Sequence, residues 1–329
     1  MTTRLRTLLV LLIAVVYALC YVSIKAGLPL APPLRFAGLR AAIAGTALLL
    51  LLASSGKSLR LTRARWPGIL LLAALSVVTY GAMFLSPGRT GAGIASVLGN
   101  TTPLFAILLA AAVLRERITQ SKLVALVLGF AGASLIAYPA ITGPAGAGIL
   151  GAVLPLLTAF GSATESVVIK RLDVGSDILP VAGWQLLLGG LSLLVLSAWI
   201  ERDASILWGT RFAALLLFLA LVGTAFTTAL WYWLLQRDEV GRLTLYLFLV
   251  PVLGLGLAAA LYGERLGAIE WTGVAVTLAG LGWITADSRR KHGREPDTTR
   301  IAAATHRVGA LSRAGAARKP TTTPNADSS

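Results

Sequence analysis

Charged residues are scarce in this chain of 329 residues: Lys, Arg, Asp and Glu make up 13% of it, whereas hydrophobic residues make up 56%. Charged residues account for about 25% of an ordinary soluble domain. The composition therefore excludes that class and predicts a polytopic membrane protein, because each apolar run approaches the roughly 20 residues that a helix needs to cross the hydrocarbon.

Cysteine and histidine are almost absent. Cys20 is the single cysteine, so no internal disulfide can form and a redox role is not expected. His292 and His306, the two histidines, lie in the C-terminal tail, which excludes a histidine-based metal or proton site within the membrane. We expect no metal ion and no other cofactor.

Apolar runs number ten and predict an all-α membrane protein with ten transmembrane helices. They cover approximately residues 8–26, 34–53, 67–85, 91–114, 123–140, 146–169, 179–200, 212–235, 240–262 and 267–286. Only Glu165 and Glu270 are carboxylates within these runs.

The chain contains an internal duplication. AAAVLRERI at 110–118 returns as AAALYGERL at 258–266, and a step of 148 residues also pairs Pro103 with Pro251. In the earlier part of each half the step is 145, so that AGLR at 37–40 pairs with AGWQ at 182–185. A duplication of apolar helices is typical of transporters.

Each half contains five helices, and because five is odd the second half enters the membrane from the opposite side. The sequence thus predicts two inverted repeats, at 8–140 and 146–286. Residues 287–329 are basic and poor in large apolar side chains, so we expect a disordered cytoplasmic tail.

The net charge of +15 raises the question of nucleic-acid binding, but the distribution of the charge argues against it. Most Lys and Arg residues lie in alternate loops and in the tail, with few in the remaining loops. The positive-inside rule then places both termini in the cytoplasm, in a multi-pass protein of the cytoplasmic (inner) membrane. The first apolar run is long enough to span and has no cleavage pattern, so a cleavable signal peptide is not expected.

Several motifs resemble those of the drug/metabolite transporter superfamily, specifically exporters with two EamA repeats. They are Lys25, AGLRAA at 37–42, PLF at 103–105 with Glu116-Arg117, WQLLLGG at 184–190, GTA at 223–225 with Trp231-Tyr232, and Pro251 followed by GERL at 263–266. The resemblance implies a ten-helix inner-membrane carrier, often an exporter of amino acids or related metabolites, in which both halves line a central cavity. The chain departs from the family pattern at 17–21, where the family commonly has a Trp-Gly pair, and at 246–248, which is more aromatic than usual.

Polar side chains within hydrocarbon usually face a cavity or a partner helix, so their helical phase predicts candidate cavity residues. In the fourth helix these are Ser96, Asn100 and Pro103, and in the repeat-related ninth helix Thr244, Phe248 and Pro251. The two prolines are predicted kinks, and Pro103 frees the backbone carbonyl of Gly99. The alternative is that these faces only allow close helix packing.

Further candidates lie on three other helices, namely Tyr17 and Tyr21 on the first, Tyr80 on the third, and Thr224, Thr228 and Trp231 on the eighth. Hydroxyls beside aromatic rings suit an amphiphilic solute. The alternative is hydrogen bonding between helices, with Trp231 near the interface.

Two ionisable residues within predicted spans are candidates for transport. Arg40 lies about 9 Å inside the outer end of its helix, where it either holds a substrate carboxylate, reaches outward, or pairs with another helix. Glu165 is a candidate for proton coupling or for holding a substrate ammonium. Its alternative is an ion pair with Lys170 or Arg171.

These patterns favour a carrier that moves a small organic solute by alternating access, most simply an exporter of amino acids or related metabolites. An uptake permease is the alternative direction. An intramembrane lipid-modifying enzyme would need a convergent nucleophile and base, and a channel would need a continuous polar stripe. The expected partners are a small-molecule substrate and the lipid bilayer, with no nucleic acid; proton coupling and a homodimer are hypotheses that the sequence leaves open.

Overall fold

The structure is a computed structural model, and it describes residues 3–86, 99, 101–141, 149–262 and 267–294. Its described residues form ten long helices, two short 3₁₀ helices (Arg63–Arg65 and Gly175–Asp177) and no strand, so the predicted all-α class is confirmed. Six stretches are long and apolar enough to cross a membrane: Arg4–Gly27, Pro33–Ser54, Arg63–Leu85, Val153–Leu172, Ile178–Ile200 and Thr210–Leu235.

The helices follow the predicted order. In the first half they are α1 (Thr3–Gly27), α2 (Pro33–Ser54), α3 (Trp66–Leu85), α4 (Thr102–Leu114) and α5 (Gln120–Ile141). In the second half they are α6 (Ile149–Leu172), α7 (Ile178–Ile200), α8 (Thr210–Leu217, Phe218–Phe226 and Thr227–Leu235), α9 (Val240–Leu245, Tyr246–Phe248 and Leu249–Tyr262) and α10 (Ala268–Arg294).

Two helices change their winding in mid-course. Phe218–Phe226 in α8 is a π-helix, and Tyr246–Phe248 in α9 is a 3₁₀ turn. The sequence indicated one regular helix in each place, because hydrophobic periodicity does not reveal a local change in the hydrogen-bond register.

The last helix ends later than predicted. The sequence indicated an end near Ala286, whereas α10 continues to Arg294 and so includes the first residues of the expected disordered tail. Arg and Lys are good helix formers, and cations near a helix C-terminus interact favourably with the helix dipole. By its contacts the chain divides at Ile284, and the bundle described below is the unit Met1–Ile284.

The most extensive helix contacts join one repeat to the other. The helix α2 packs along α7, its repeat-related partner. The remaining contacts between the repeats come in repeat-related pairs. The helix α3 packs on α6 and α7, and its counterpart α8 packs on α1 and α2. In the same way α4 contacts α6, and its counterpart α9 contacts α1. The two repeats are therefore interlocked about a pseudo-two-fold axis, as inverted repeats require.

Glycines allow the close approach of α2 and α7. A Cβ atom at Gly45 would collide with the backbone of Gly183 and Leu187, and one at Gly190 would collide with the backbone of Ala42. Gly45 and Gly190 are related by the 145-residue step, so the same contact occurs on both sides of the axis. Small residues at such positions allow helices to pack by van der Waals contact in lipid.

We predict that Gly45→Ala destabilises the protein, because the new methyl group must push α2 away from the α7 backbone. Overpacking of this kind costs about 1–3 kcal/mol, which thermal unfolding of the purified protein in detergent would detect as a lowered midpoint. Gly254→Ala in α9 is the matched control, since a Cβ atom there meets open space. Equal midpoints for the two variants would contradict the proposed close contact.

Candidate functional site

A cavity of about 140 Å³ lies between the two repeats, within the unit Met1–Ile284. Side chains from α1 to α4 and from α6 to α9 line it. Both halves of the duplication thus contribute to one cavity.

The structure brings many of the predicted site residues together around this cavity. The residues that line it are Tyr17, Tyr21, Arg40, Tyr80, Pro103, Glu165, Thr228 and Trp231. These residues are far apart in the sequence and include both predicted intramembrane charges of interest, Arg40 and Glu165.

Other predicted residues lie away from the cavity. Thr244 is buried and donates to the carbonyl oxygen of Val240 in its own helix (3.0 Å), and Phe248 packs on Gly129 of α5. Pro251 is buried in α9 but does not line the cavity.

The physical reason is the 3₁₀ turn in α9. A period of 3.6 residues placed Thr244, Phe248 and Pro251 on one face, but the turn has about 3.0 residues per turn. In the structure α9 presents Leu247 and Val250 to the cavity instead.

The predicted face of α4 is only partly described. Ser96 and Asn100 lie outside the described residues. Pro103 lines the cavity, and the Thr102 hydroxyl donates to the carbonyl oxygen of Gly99 (3.2 Å). The backbone acceptor that Pro103 frees is therefore satisfied by the neighbouring side chain.

Arg40 is buried, with 4% of its surface exposed, and it interacts with α8 instead of reaching outward. Its Nε donates to Oγ1 of Thr224 (2.6 Å) and its Nη2 donates to the carbonyl oxygen of Gly223 (3.1 Å). Its guanidinium also lies 5.6 Å from the ring centroid of Tyr80 and 5.8 Å from that of Phe84. Among the described residues, Nη1 has no hydrogen-bond partner and no carboxylate forms an ion pair with Arg40.

The contact between Arg40 and Thr224 depends on the π-helix in α8. Thr224 is itself buried and donates to the carbonyl oxygen of Leu219, five residues earlier (2.8 Å). The carbonyl oxygen of Gly223 accepts from both Arg40 and the Thr227 hydroxyl. Irregular backbone within a membrane protein is tolerated where it lines a cavity, and π-helices are frequent at functional sites.

Glu165 accepts hydrogen bonds from two hydroxyls of α3. Ser76 Oγ donates to its Oε1 at 3.1 Å, and Thr79 Oγ1 donates to the same oxygen at 3.4 Å. The alternative of an ion pair with a flanking cation is not observed among the described residues, because Lys170 donates to the carbonyl oxygen of Asp238 (2.8 Å).

A chain of hydrogen bonds connects Tyr232 of α8 to Glu165 of α6. The Tyr232 hydroxyl donates to Oε1 of Gln185 (2.5 Å), and Nε2 of Gln185 donates to Oγ of Ser76 (2.8 Å), which in turn donates to Glu165. Gln185 and Tyr232 line the cavity but were not among the predicted site residues. The 145-residue step, which relates Gln185 to Arg40, was the signal that could have identified Gln185.

Trp231 is fixed by a hydrogen bond between repeat-two helices. Its Nε1 donates to Oγ of Ser166 in α6 (3.1 Å), and the side chain is buried. Trp231 therefore lines the cavity and also bonds a neighbouring helix.

A separate group of charges lies where α1 begins and where the α4–α5 and α8–α9 connections meet. Glu116 accepts from the backbone N–H groups of Val240 and Gly241 at the start of α9 (2.8 and 3.1 Å). Lys122 lies 3.6 Å from Glu116 and 3.1 Å from Glu239. These contacts cap a helix N-terminus and tie the two repeats together at one end of the bundle.

Comparison with known proteins agrees with this architecture. Residues 5–138 and 149–286 match the model of the EamA-like transporter family. A probable amino-acid metabolite efflux pump of Salmonella typhimurium (strain LT2) is 30% identical over 285 residues, which are 83% of this chain and 92% of that protein. An uncharacterized transporter of Bacillus subtilis (strain 168), YoaV, is 28% identical over 249 residues, which are 74% and 84% of the two chains.

A solved crystal structure has the same fold, with a TM-score of 0.71 and 19% sequence identity. The match covers 88% of this chain and 99% of the other. At this level of identity the similarity concerns the fold alone. The resemblance that the motifs indicated is confirmed by the family match.

We predict that Ser76→Ala lowers the thermal unfolding midpoint, because it removes one donor to Glu165 and the acceptor of Gln185 Nε2. Leaving a buried polar group without its partner costs about 1–3 kcal/mol. Ser54→Ala is the control, since its hydroxyl is exposed and bonds only its own helix. A midpoint for Ser76→Ala that matches the control would contradict a stabilising role for the chain from Tyr232 to Glu165.

Proposed function

Because the chain belongs to the EamA-like transporter family, we propose that it exports an amino acid or a related metabolite across the cytoplasmic membrane by alternating access. The direction follows the proteins of Salmonella typhimurium and Escherichia coli, each described as a probable amino-acid metabolite efflux pump, at 30% and 28% identity. Transport itself is the activity of the family, whereas the solute and the direction are the proposal.

The observation that carries the proposal is the chemistry of the cavity between the repeats. Among the described residues that line it there are one cation, Arg40, and one carboxylate, Glu165, and these two form no ion pair with each other. The rings of Tyr17, Tyr80 and Trp231 line the same space. A solute with two charged ends and an apolar part matches these groups.

The size of the cavity supports a small solute. Pockets for drug-sized ligands typically enclose about 300–1,000 Å³, whereas this cavity encloses about 140 Å³. A metabolite of amino-acid size is therefore favoured over a large organic molecule.

The inverted repeats and the irregular helices supply a route to alternating access. In transporters with inverted repeats, the substrate site lies at the repeat interface and one bundle moves against the other. Here α8 and α9 change winding beside the cavity, and Pro103 lies in the first turn of α4. Such breaks are where helices bend, so we infer that these three helices change shape as the cavity opens.

We propose Glu165 as the group that couples transport to protons. An ionisable group within a membrane is costly and usually marks a substrate or proton pathway. Among the described residues, the other charged or titratable groups that line the cavity with Glu165 are Tyr17, Cys20, Tyr21, Arg40, Tyr80 and Tyr232. A substrate ammonium is the competing occupant of this carboxylate.

We expect untargeted metabolite profiling of the growth medium to reveal a small set of amino acids or related compounds that accumulate with the wild type. At matched membrane levels, Glu165→Gln should reduce this accumulation about tenfold or more, because the substitution removes an intramembrane charge while keeping the side-chain shape. Asp203→Asn in the exposed α7–α8 connection is the matched control and should resemble the wild type.

Two other results would change the proposal. Depletion of the same compounds from the medium would indicate uptake instead of export. Accumulation that persists after a protonophore collapses the proton gradient would refute proton coupling. Binding of a substrate ammonium would then remain as the role of Glu165.

We expect both termini in the cytoplasm, as the positive-inside rule indicates. Alkaline phosphatase fused after Asp203 should be active, whereas the same enzyme fused after Ser329 should be inactive and a fluorescent protein there should fluoresce. Active phosphatase at Ser329 would overturn the orientation.

A further inference from the structure

The repeat relationship extends to the hydrogen bonds around the cavity. Arg40 of α2 corresponds to Gln185 of α7, and Thr224 of α8 corresponds to Ser76 of α3. Arg40 Nε donates to Thr224 Oγ1 at 2.6 Å, and Gln185 Nε2 donates to Ser76 Oγ at 2.8 Å. The cavity therefore contains two half-sites with one common framework. In each half-site a long side chain of α2 or α7 is hydrogen-bonded to a hydroxyl group of the opposite repeat.

The half-sites differ in what surrounds that framework. Around Gln185, the Tyr232 hydroxyl donates to Oε1 and the Glu165 carboxylate accepts from Ser76. The corresponding positions around Arg40 are Phe84, which has no hydroxyl, and Cys20, which carries no carboxylate. The half-site of Gln185 is thus satisfied by the protein, whereas that of Arg40 lacks both of these polar partners and carries a charge.

The consequence is a buried cation with unused hydrogen-bonding capacity. Arg40 is 4% exposed, and its Nη1 has no partner among the described residues. A buried charge that lacks a counter-charge is strongly destabilising, and guanidinium groups bind carboxylates through parallel hydrogen bonds. The surrounding rings of Tyr80 and Phe84 lie close to the guanidinium but supply no negative charge.

We infer that Arg40 determines substrate specificity by binding a carboxylate group of the transported solute. This inference rests on the proposed transport function and narrows it to carboxylate-bearing solutes. The acid end of the solute lies at the α2–α8 half-site, and the rest of the molecule extends toward Trp231 and Glu165. The asymmetry of the two half-sites fixes this orientation, because Gln185 is uncharged and already bonded on both sides.

The test is ligand-induced thermal stabilisation of the purified full-length protein in detergent. The probes are the twenty standard L-amino acids, each compared with its α-carboxamide, which keeps the ammonium and the side chain but lacks the carboxylate. A bound ligand at free concentration L stabilises the folded state by RT ln(1 + L/Kd), so the unfolding midpoint measured over a range of ligand concentrations reports the affinity. We expect at least one amino acid to stabilise the wild type and its amide to bind about 10- to 100-fold more weakly, the loss typical of a charge-assisted hydrogen bond.

Three variants locate the effect. Arg40→Gln reproduces the residue of the other half-site, so the bond to Thr224 can form, and it should reduce amino-acid binding by a similar factor while leaving weak amide binding unchanged. Arg40→Lys keeps the charge without the planar guanidinium and should restore part of the affinity. Arg211→Gln at the exposed start of α8 is the matched control and should bind as the wild type does.

The outcomes separate this inference from the export proposal. Equal binding of an acid and its amide, unchanged acid binding in Arg40→Gln, or failure of every acid to bind would overturn the role of Arg40. Export of a solute without a carboxylate would also overturn it while leaving transport intact. If acid binding depends on Arg40 but no solute accumulates outside cells, the export proposal is refuted, whereas the role of Arg40 in carboxylate binding is supported. Should Arg40→Gln fail to fold, the acid and amide comparison on the wild type still decides.

Discussion

The close contact between α2 and α7 is the constraint on which the rest of the structure depends. These helices meet where glycines bring their backbones together, with Gly45 against Gly183 and Gly190 against Ala42. Little hydrophobic force drives helices together in lipid, so close van der Waals packing has to supply the association. Because α2 and α7 are repeat-related, their contact also fixes the pseudo-two-fold axis, and the other contacts between repeats follow from it.

The same pair of helices places the two central polar side chains. Arg40 lies between Gly38 and Gly45 on α2, and Gln185 lies between Gly183 and Gly190 on α7. Each side chain therefore crosses to a hydroxyl of the opposite repeat, Thr224 for Arg40 and Ser76 for Gln185. The glycines that allow α2 and α7 to approach closely therefore also hold Arg40 and Gln185 beside the cavity.

Buried polar groups explain why the helices around the cavity are irregular. In lipid every backbone and side-chain polar group needs a partner within the protein. The π-helix of α8 makes the carbonyl oxygen of Gly223 an acceptor for both Arg40 and Thr227, and the Thr102 hydroxyl satisfies the carbonyl oxygen of Gly99 ahead of Pro103. The irregular segments are thus stabilised by hydrogen bonds to the carbonyl oxygens that they expose. They lie where a change of helix shape would open the cavity.

Composition and periodicity were sufficient for the class, the order of the helices and the inverted repeats, because apolar length and internal duplication are properties of the chain itself. Helical phase selected Glu165 and Trp231 as candidates and depth in the span selected Arg40, and the structure places all three along the cavity. Periodicity did not predict the position of Phe248, which packs on Gly129 because the 3₁₀ turn changes the winding of α9, and it could not show that α8 contains a π-helix.

Only the tertiary structure decided which neighbours each of these charges contacts. Whether Arg40 reaches outward or bonds α8, and whether Glu165 pairs with Lys170 or accepts from Ser76, depends on distances between helices that lie far apart in the chain. Those distances are set by the packing of one repeat against the other, so no local pattern contains them.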